Sequence, residues 1–346
     1  MRILLVTGGA GFIGSNFIKY FLRRNKNYIV VNIDKQSYPA EMNRLSDLEA
    51  SPRYHHIKGD VCSRDLCEYV LRKYKPCLIV NFCSEPQIPS TGKWLQPSCE
   101  SSFSSTFAML EGAHSIWTRT SIADKRFIQI STDDVYGSTN DKDIFYDEDT
   151  PLKPENPLSA VKAAADLLAL SYYRAYSLPV VILRSCNTYG PWQDTRCTVP
   201  SIIRSILNNK SLGSIEPSST FCCRPSVNAI NENIAHQAPG VVKEWIHVYD
   251  LCSAITRALF FARPGDTYNI GSDETASSAD LAIMLAKAAD MPADKLSSNA
   301  IKDKRDNYGL KLNSYRARNN LKWSTSYNLE DGLKDTLLWY KENHFP

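Results

Sequence analysis

Several features are missing from this chain, and each absence excludes a class of protein. The chain has ten cysteines, but none of them forms a Cys-x-x-Cys pair. The group Cys222, Cys223 and His236 does not have the spacing of zinc ligands, so no metal site is predicted. No apolar run approaches the ~20 residues that a membrane-spanning helix needs. The formal net charge of +3 is scattered, without a basic run or basic–aromatic repeat, so no nucleic-acid partner is expected.

The N-terminus also lacks a secretory signal, because the apolar residues 3–6 run straight into glycines. Without such a signal, the cysteines are expected to be reduced and mostly buried. The chain has 346 residues, of which 43% are hydrophobic and 22% charged, as in ordinary globular proteins. The sequence therefore predicts a cytoplasmic protein with one large domain or two moderate ones.

Near the start of the chain, a glycine motif lies between a predicted strand and a predicted helix. The apolar run Arg2–Val6 predicts a buried parallel strand, and residues 15–22 have helical spacing. Between them, Gly8 permits a tight turn and Gly11 lets backbone amides approach a pyrophosphate at the helix N-terminus. Gly14 lets the helix pack closely on the strand. This context predicts a dinucleotide-binding turn.

An acidic residue follows the next predicted strand at the distance that such a site requires. Asp34 ends the run Tyr28–Ile33 and lies twenty residues after Gly14. A carboxylate there would accept hydrogen bonds from the adenosine ribose hydroxyls and would repel a 2′-phosphate. The sequence therefore favours NAD over NADP.

Strand-like and helical segments alternate along most of the chain. Further strands are predicted at residues 56–59, 77–82, 126–130 and 179–184, with helices at 65–74, 101–117 and 160–176 between them. This alternation predicts an α/β fold with a doubly wound parallel sheet. We expect an NAD-binding domain over 1–186 plus 241–272 and a smaller region over 187–240 plus 273–346, with an irregular insertion at 208–240.

Together these residues resemble the extended short-chain dehydrogenases/reductases, and most closely the nucleotide-sugar 4,6-dehydratases of the dTDP-glucose type. The resemblance runs nearly from end to end. Its carriers are residues 7–14, Ile33-Asp34-Lys35 with Ser37-Tyr38, Gly59-Asp60-Val61, Ser131-Thr132-Asp133-Asp134-Val135-Tyr136-Gly137, Lys162-Ala163-Ala164-Ala165-Asp166, residues 184–191, Glu244-Trp245-Ile246-His247-Val248 and Tyr268-Asn269-Ile270-Gly271. It implies an NAD-binding Rossmann sheet with a smaller C-terminal α/β substrate-binding region.

The resemblance also implies a reaction. The family oxidises C4 of a nucleotide-linked hexose with bound NAD, eliminates water across C5–C6 and returns the hydride to C6. By resemblance Thr132 bonds the C4 oxygen, Asp133 is the acid, Asp134 is the base and Lys162 reaches the nicotinamide ribose. Two adjacent carboxyl groups can supply an acid and a base when their environments separate their pKa values.

The remaining site residues are likewise carried over from the family pattern. On the cofactor side they are Gly8, Gly11, Phe12, Ile13, Gly14, Asp34, Lys35, Ser37, Asp60, Val61, Phe82, Cys83, Ser84 and Lys162. On the side of the nucleotide-diphosphate sugar they are Gln87, Thr132, Asn187, Lys243 and Asn269. The helices over 101–117 and 160–176 correspond to the family's dimer interface, so a homodimer is expected.

The sequence departs from the family pattern at the catalytic centre. Leu158 stands where the family has a tyrosine, four residues before Lys162, and Asp134 stands where it usually has glutamate. A leucine cannot take a proton, and aspartate retracts the carboxylate by one carbon–carbon bond, about 1.5 Å. The usual His, Asp and Arg of the segment at 83–91 are absent, and Cys197 replaces a frequent phosphate-region lysine.

Three interpretations therefore stay open. Lys162 and the acidic pair could perform the dehydration alone, as in related UDP-N-acetylglucosamine 4,6-dehydratases, where an aspartate takes the 4-hydroxyl proton. The protein could instead be a pseudoenzyme that binds NAD and a nucleotide sugar as a structural or regulatory module. It could also catalyse other sugar chemistry, such as epimerisation or decarboxylation, because a fold does not fix a function.

Overall fold

The large sheet of the protein is built from buried, β-branched-rich runs. The computed structural model describes residues 1–36, 43–83, 95–117, 122–139, 141, 144–208, 242–291 and 310–343, the side chains of 95–98 excepted. Within these residues, seven strands form one parallel sheet, namely β1 Arg2–Thr7, β2 Tyr28–Asp34, β3 Tyr54–Lys58, β4 Leu78–Asn81, β5 Arg126–Thr132, β6 Val180–Ser185 and β9 Thr267–Ile270. They pair in the order β3-β2-β1-β4-β5-β6-β9.

Helices cover both faces of this sheet. They are α1 Phe12–Arg24, α2 Arg64–Tyr74, α3 Leu95–Trp117, α4 Pro157–Tyr176 and α6 Val248–Phe261. Two apolar clusters lie between helices and sheet, one around Phe17, Phe21 and Leu251, the other around Leu71, Met109 and Phe127. The predicted doubly wound α/β fold is confirmed. The strand order reverses between β1 and β4, which places the ligand crevice of such a sheet at their carboxyl ends.

A second, smaller unit follows β6. Its strands β7 Asn187–Tyr189, β8 Lys243–His247 and β10 Thr275–Ala276 form a sheet in the order β10-β8-β7. The helices α5 Thr198–Leu207, α7 Ser278–Ala288 and α9 Leu329–Glu342 bury a third apolar cluster with it, and α8 spans Tyr315–Asn320. The two predicted domains, 1–186 plus 241–272 and 187–240 plus 273–346, stay a prediction. These bounds assign β8 to the NAD-binding domain, although it pairs with β7 of the smaller region.

Among the helices that the structure describes, none has the length and apolar character that a membrane span requires. Over the same described residues, no group of three or more His, Cys, Asp and Glu side chains is arranged to hold a metal ion. The described residues do not include the predicted insertion from residue 209 onward, nor Cys222, Cys223 and His236 within it.

Candidate active site

The glycine turn lies at the carboxyl end of β1, where the crevice opens. Gly8 has a φ of +68°, a backbone conformation that side chains with a Cβ rarely adopt. Gly11 is the N-cap of α1, and a Cβ on Gly14 would lie 2.6 Å from the carbonyl oxygen of Gly8 and 2.7 Å from the Cα of Gly9. Backbone therefore fills the space that a side chain at residue 14 would need, as a dinucleotide turn requires.

Asp34 ties this turn to the end of β2. It is buried, and its Oδ2 accepts a hydrogen bond of 2.8 Å from the backbone N–H of Ala10. Its Oδ1 accepts another of 2.8 Å from the N–H of Gln36. Each carboxylate oxygen offers two lone pairs, so these bonds leave acceptor capacity for a ribose hydroxyl.

The other residues that are predicted to contact the cofactor lie at the ends of the neighbouring strands. The Lys35 Nζ lies 3.9 Å from the Oδ2 of Asp60, beyond β3, and Val61 is buried in the core. At the end of β4, the Phe82 backbone N–H donates to the carbonyl of Thr7, and its ring packs on α1. Burial raises the pKa of the Cys83 thiol, which therefore stays protonated. The predicted Ser37, Ser84 and Gln87 lie outside the described residues.

The acidic pair begins a short 3-10 helix, Asp133–Tyr136, directly after β5. Thr132 is its N-cap, because the hydroxyl oxygen accepts the Asp134 backbone N–H at 3.3 Å. The same hydroxyl donates to the Oδ1 of Asp133 at 3.1 Å. Asp133 is buried at 4% exposure, whereas Thr132 and Asp134 are half-buried. The Thr132 hydroxyl thus joins the Asp133 carboxylate to the Asp134 backbone at the ligand edge of the sheet.

The first turn of α4 carries the departure from the family pattern. Asn156 caps this helix by accepting the Ser159 N–H at 2.9 Å, and Pro157 opens it. Leu158 is buried at 5% exposure, and the half-buried Lys162 follows one turn later. Residues four apart share a helix face, so Leu158 occupies the place beside Lys162 where a tyrosine would stand.

A buried polar network that sequence reasoning missed lies behind this group. The Oδ2 of Asp166, on α4, accepts hydrogen bonds from the Ser131 hydroxyl at 3.0 Å and from the Arg184 Nε at 2.9 Å. Arg184 also donates to the Tyr136 hydroxyl at 2.9 Å, and that hydroxyl donates to the Asn269 Oδ1 at 2.7 Å. The network joins β5, the 3-10 helix, α4, β6 and β9. An arginine inside an apolar strand was the sequence signal for it.

The substrate-side predictions separate into two groups. Asn187 and Lys243 are half-buried on the paired strands β7 and β8, and the Asn187 Nδ2 donates to the carbonyl of Glu244 at 3.2 Å. Asn269 is fully buried, and its Nδ2 donates to the Tyr146 carbonyl at 2.9 Å. Both polar atoms of the Asn269 amide therefore have partners inside the protein, and its predicted contact with the substrate stays a prediction.

Comparison with known proteins agrees with this geometry. Residues 5–218 match the family model described as GDP-mannose 4,6 dehydratase. The chain belongs to the nucleotide-sugar 4,6-dehydratase family. It is 30% identical to a probable dTDP-glucose 4,6-dehydratase of Sinorhizobium fredii, over 99% of this chain and 93% of the relative. It is 32% identical to the low-salt glycan biosynthesis protein Agl12 of Haloferax volcanii, over 97% of this chain and 98% of that protein.

A solved structure of the family superposes on nearly the whole chain. The dTDP-glucose 4,6-dehydratase of Bacillus anthracis, crystallised in complex with NAD, is 30% identical with a TM-score of 0.81, covering 99% of this chain and 98% of its own. The resemblance and the Rossmann-like fold inferred from the sequence are thereby confirmed, whereas the roles of the individual site residues stay predictions.

Proposed function

We propose that this protein is an NAD-dependent nucleotide-sugar 4,6-dehydratase, a lyase that forms a 4-keto-6-deoxy sugar without the usual tyrosine. One observation carries the proposal: Thr132, Asp133 and Asp134 form a hydrogen-bonded group at the carboxyl end of β5, in a chain that matches dTDP-glucose 4,6-dehydratases over its length. dTDP-glucose is the first substrate to test, because it is the sugar nucleotide that these relatives are named for.

The residues of the crevice fit NAD. The turn from Gly8 to Gly14 leaves no room for a side chain at residue 14 and presents the N-terminus of α1, where a pyrophosphate is favoured. Asp34 would hold the adenosine ribose and Lys162 the nicotinamide ribose. When bound, NAD supplies the acceptor for the hydride of C4 and its later donor to C6.

The acidic pair would supply the proton transfers. Once C4 is a ketone, the proton on C5 is acidic enough for a carboxylate to remove, and Asp134 takes this role. Asp133 protonates the departing 6-hydroxyl. The shorter side chain of aspartate at residue 134 has to be offset by a sugar that sits deeper, since a misplacement of about 1 Å can cost on the order of a hundredfold in rate.

The test is mass spectrometry of the purified protein incubated with NAD and, separately, dTDP-glucose, UDP-glucose and UDP-N-acetylglucosamine. We expect one of these sugars to lose one water. Unchanged masses, with NAD binding demonstrated on the same sample, would instead favour the pseudoenzyme interpretation that Leu158 raises. An isomer of unchanged mass would indicate an epimerase, and loss of carbon dioxide from a UDP-glucuronic acid control would indicate a decarboxylase.

We also propose a homodimer formed through α3 and α4. Their outer surfaces expose large apolar side chains, namely Phe103, Phe107, Leu167 and Tyr176, at 40%, 42%, 57% and 55% exposure. Light scattering should give twice the chain mass, and Leu167→Glu should reduce it to the mass of one chain. A cytoplasmic location stays a prediction from the sequence.

A further inference from the structure

The peptide group between Ala10 and Gly11, directly before α1, is held in a fixed orientation. The Gly11 N–H donates to the Gly8 carbonyl at 3.2 Å, and the Ala10 carbonyl accepts a bond of 3.0 Å from the Arg44 Nη1. Because a peptide group is planar, these bonds at its two ends fix its direction in the turn. Arg44, thirty-four residues after Ala10 in the chain, is therefore part of the glycine turn.

Arg44 brings a buried positive charge to this turn. The residue is 4% exposed, and salt screens a charge buried to this degree much less than a charge at the surface. Gly11, the N-cap of α1, has no side chain that could accept the first N–H groups of the helix. The guanidinium and those N–H groups therefore favour the same ligand, which is a pyrophosphate.

A loop of the smaller unit packs against α1 close to this turn. We call residues 190–196, which lead from β7 to α5, the docking loop. The Nδ2 of the buried Asn16 donates to the Pro191 carbonyl at 2.9 Å. Trp192 has a φ of +68°, and its ring centre lies 5.0 Å from the Lys19 Nζ. A bulky residue keeps such a backbone conformation only where its surroundings hold it there, so the docking loop is fixed on α1.

Asp194 of the docking loop lies within the electrostatic reach of Arg44. Burial by itself would raise the pKa of Asp194, but hydrogen bonds from Arg196 and the charge of Arg44 lower it. The Arg196 Nε donates to the Asp194 Oδ1 at 2.7 Å. The Tyr340 hydroxyl of α9 anchors the loop further, because it donates to the Gln193 carbonyl at 2.5 Å. Arg44 is thus hydrogen-bonded to the glycine turn and attracted to the docking loop.

We propose that Arg44 is a positioning residue of the cofactor site, which holds the Ala10–Gly11 peptide for the NAD pyrophosphate and joins the turn to Asp194 of the docking loop. The inference goes beyond the proposed function, because it concerns how the cofactor is held and not which sugar is converted. In an internal redox reaction the same nicotinamide accepts the hydride and returns it. The link to the docking loop keeps the cofactor bound between these two transfers.

The test compares ligands that share the adenosine part and differ in their phosphates. Affinities for NAD, ADP and adenosine are measured on the nucleotide-free protein by calorimetry, that of adenosine through its competition with NAD. The variants are Arg44→Met, which keeps an apolar stem, and Arg44→Gln, which keeps a polar end. Arg53→Met is the matched control, because the Arg53 Nη1 donates to the carbonyls of Leu22 and Asn25, at the opposite end of α1, at 3.1 and 3.3 Å.

We expect both Arg44 variants to bind NAD and ADP about tenfold to a hundredfold more weakly than wild type, the range for a hydrogen bond from a charged group. Adenosine has no phosphate and should bind to them as it binds to wild type. Arg53→Met should leave all three affinities unchanged. Urea unfolding of each variant establishes that it is folded under the conditions of the binding measurement.

The link to the docking loop is tested by the release of NADH, followed by stopped-flow fluorescence after mixing with excess NAD. Asp194→Asn should speed this release by about threefold or more, because it removes the carboxylate that attracts Arg44. The same substitution made in Arg44→Met should add little, since the two residues act through one interaction. Equal acceleration in both backgrounds would overturn the link.

Wild-type affinity for NAD in the two Arg44 variants would overturn the proposal. An equal loss of affinity for adenosine would overturn it as well, because the loss would then not arise at the phosphates. A loss in Arg53→Met as large as in Arg44→Met would assign the effect to the stability of α1, and so would also overturn it. These measurements need no turnover, so a protein that binds NAD as expected but dehydrates no sugar would refute the proposed function alone.

Discussion

The buried pair of Asp166 and Arg184 gives the sharpest prediction about stability. Its side chains are 0% and 5% exposed, and the Arg184 Nε lies 2.9 Å from the Asp166 Oδ2. Burial raises the pKa of Asp166, so its carboxylate depends on this cation. Arg184→Met keeps the apolar stem and removes the charge, which leaves Asp166 uncompensated. Removing one partner of such a pair typically costs about 3–5 kcal/mol.

A surface pair of nearly equal length provides the control. The Arg2 Nη2 lies 3.0 Å from the Asp124 Oδ2, but these side chains are 45% and 55% exposed. Water screens such pairs, so Arg2→Met should cost less than about 1 kcal/mol. Urea unfolding should therefore separate the two variants by at least about 2 kcal/mol. Equal losses would show that the buried pair is not held as described here.

The double variant Arg184→Met with Asp166→Asn extends this test. It removes the carboxylate that the single variant leaves buried, so it should recover a large part of the lost stability. Arg184 also donates to Tyr136, in the 3-10 helix that carries the acidic pair. The double variant is therefore expected to refold yet remain slower in turnover than wild type. A double variant less stable than Arg184→Met would show that the uncompensated Asp166 carboxylate is not the cause of the lost stability.

Three further predictions concern the turn, the site and a buried histidine. Gly14→Ala should abolish NAD binding in calorimetry, because the added Cβ would lie 2.6 Å from the backbone oxygen of Gly8. Gly11→Ala should only weaken NAD binding, because its added Cβ would have its nearest contact at 3.2 Å. Equal affinities of the two variants for NAD would contradict this prediction. Leu158→Tyr should raise the rate at which the NAD-loaded protein reduces its nicotinamide with dTDP-glucose, because a phenol beside Lys162 could take the 4-hydroxyl proton directly. An unchanged rate would contradict this prediction. Burial lowers the pKa of His247 to about 3, so the neutral ring stabilises the fold above pH 6.5 and this stability is lost as the pH falls towards 3. His247→Asn can still cap α6 but has no group that titrates here, so between pH 6.5 and 3 its unfolding free energy should change less steeply with pH than that of wild type, by up to about 1.4 kcal/mol per pH unit. An equal slope in the two proteins would show that His247 is not buried in its neutral form.

The sequence was sufficient for the large sheet and the cofactor turn, because both rest on local patterns. Parallel strands buried on both faces appear as continuous apolar runs, and the glycine spacing fixes the turn between β1 and α1. The network around Asp166 could not be predicted, since Ser131, Arg184 and Asn269 come from strands far apart in the chain. Only the strand order β5-β6-β9 places these side chains side by side.

Asn269 is a second residue whose contacts could not be predicted from the sequence. The family resemblance predicts that it contacts the substrate, which stays a prediction, but the hydrogen bonds of its amide to Tyr136 and Tyr146, from two other segments, could not be predicted. By contrast, the contact between Thr132 and Asp133 joins sequence neighbours at a strand end. The resemblance placed both residues in one site, but the hydrogen bond between them required the coordinates.

An internal redox dehydration, which we propose for this chain despite Leu158, moves the hydrogen of C4 to C6 within one sugar. The most direct measurement uses dTDP-glucose deuterated at C4, incubated with the NAD-loaded protein and followed by mass spectrometry and NMR. We expect a product that has lost one water and carries the deuterium in its C6 methyl group. Substrate recovered intact, with NAD shown to be bound in the same sample, would contradict it.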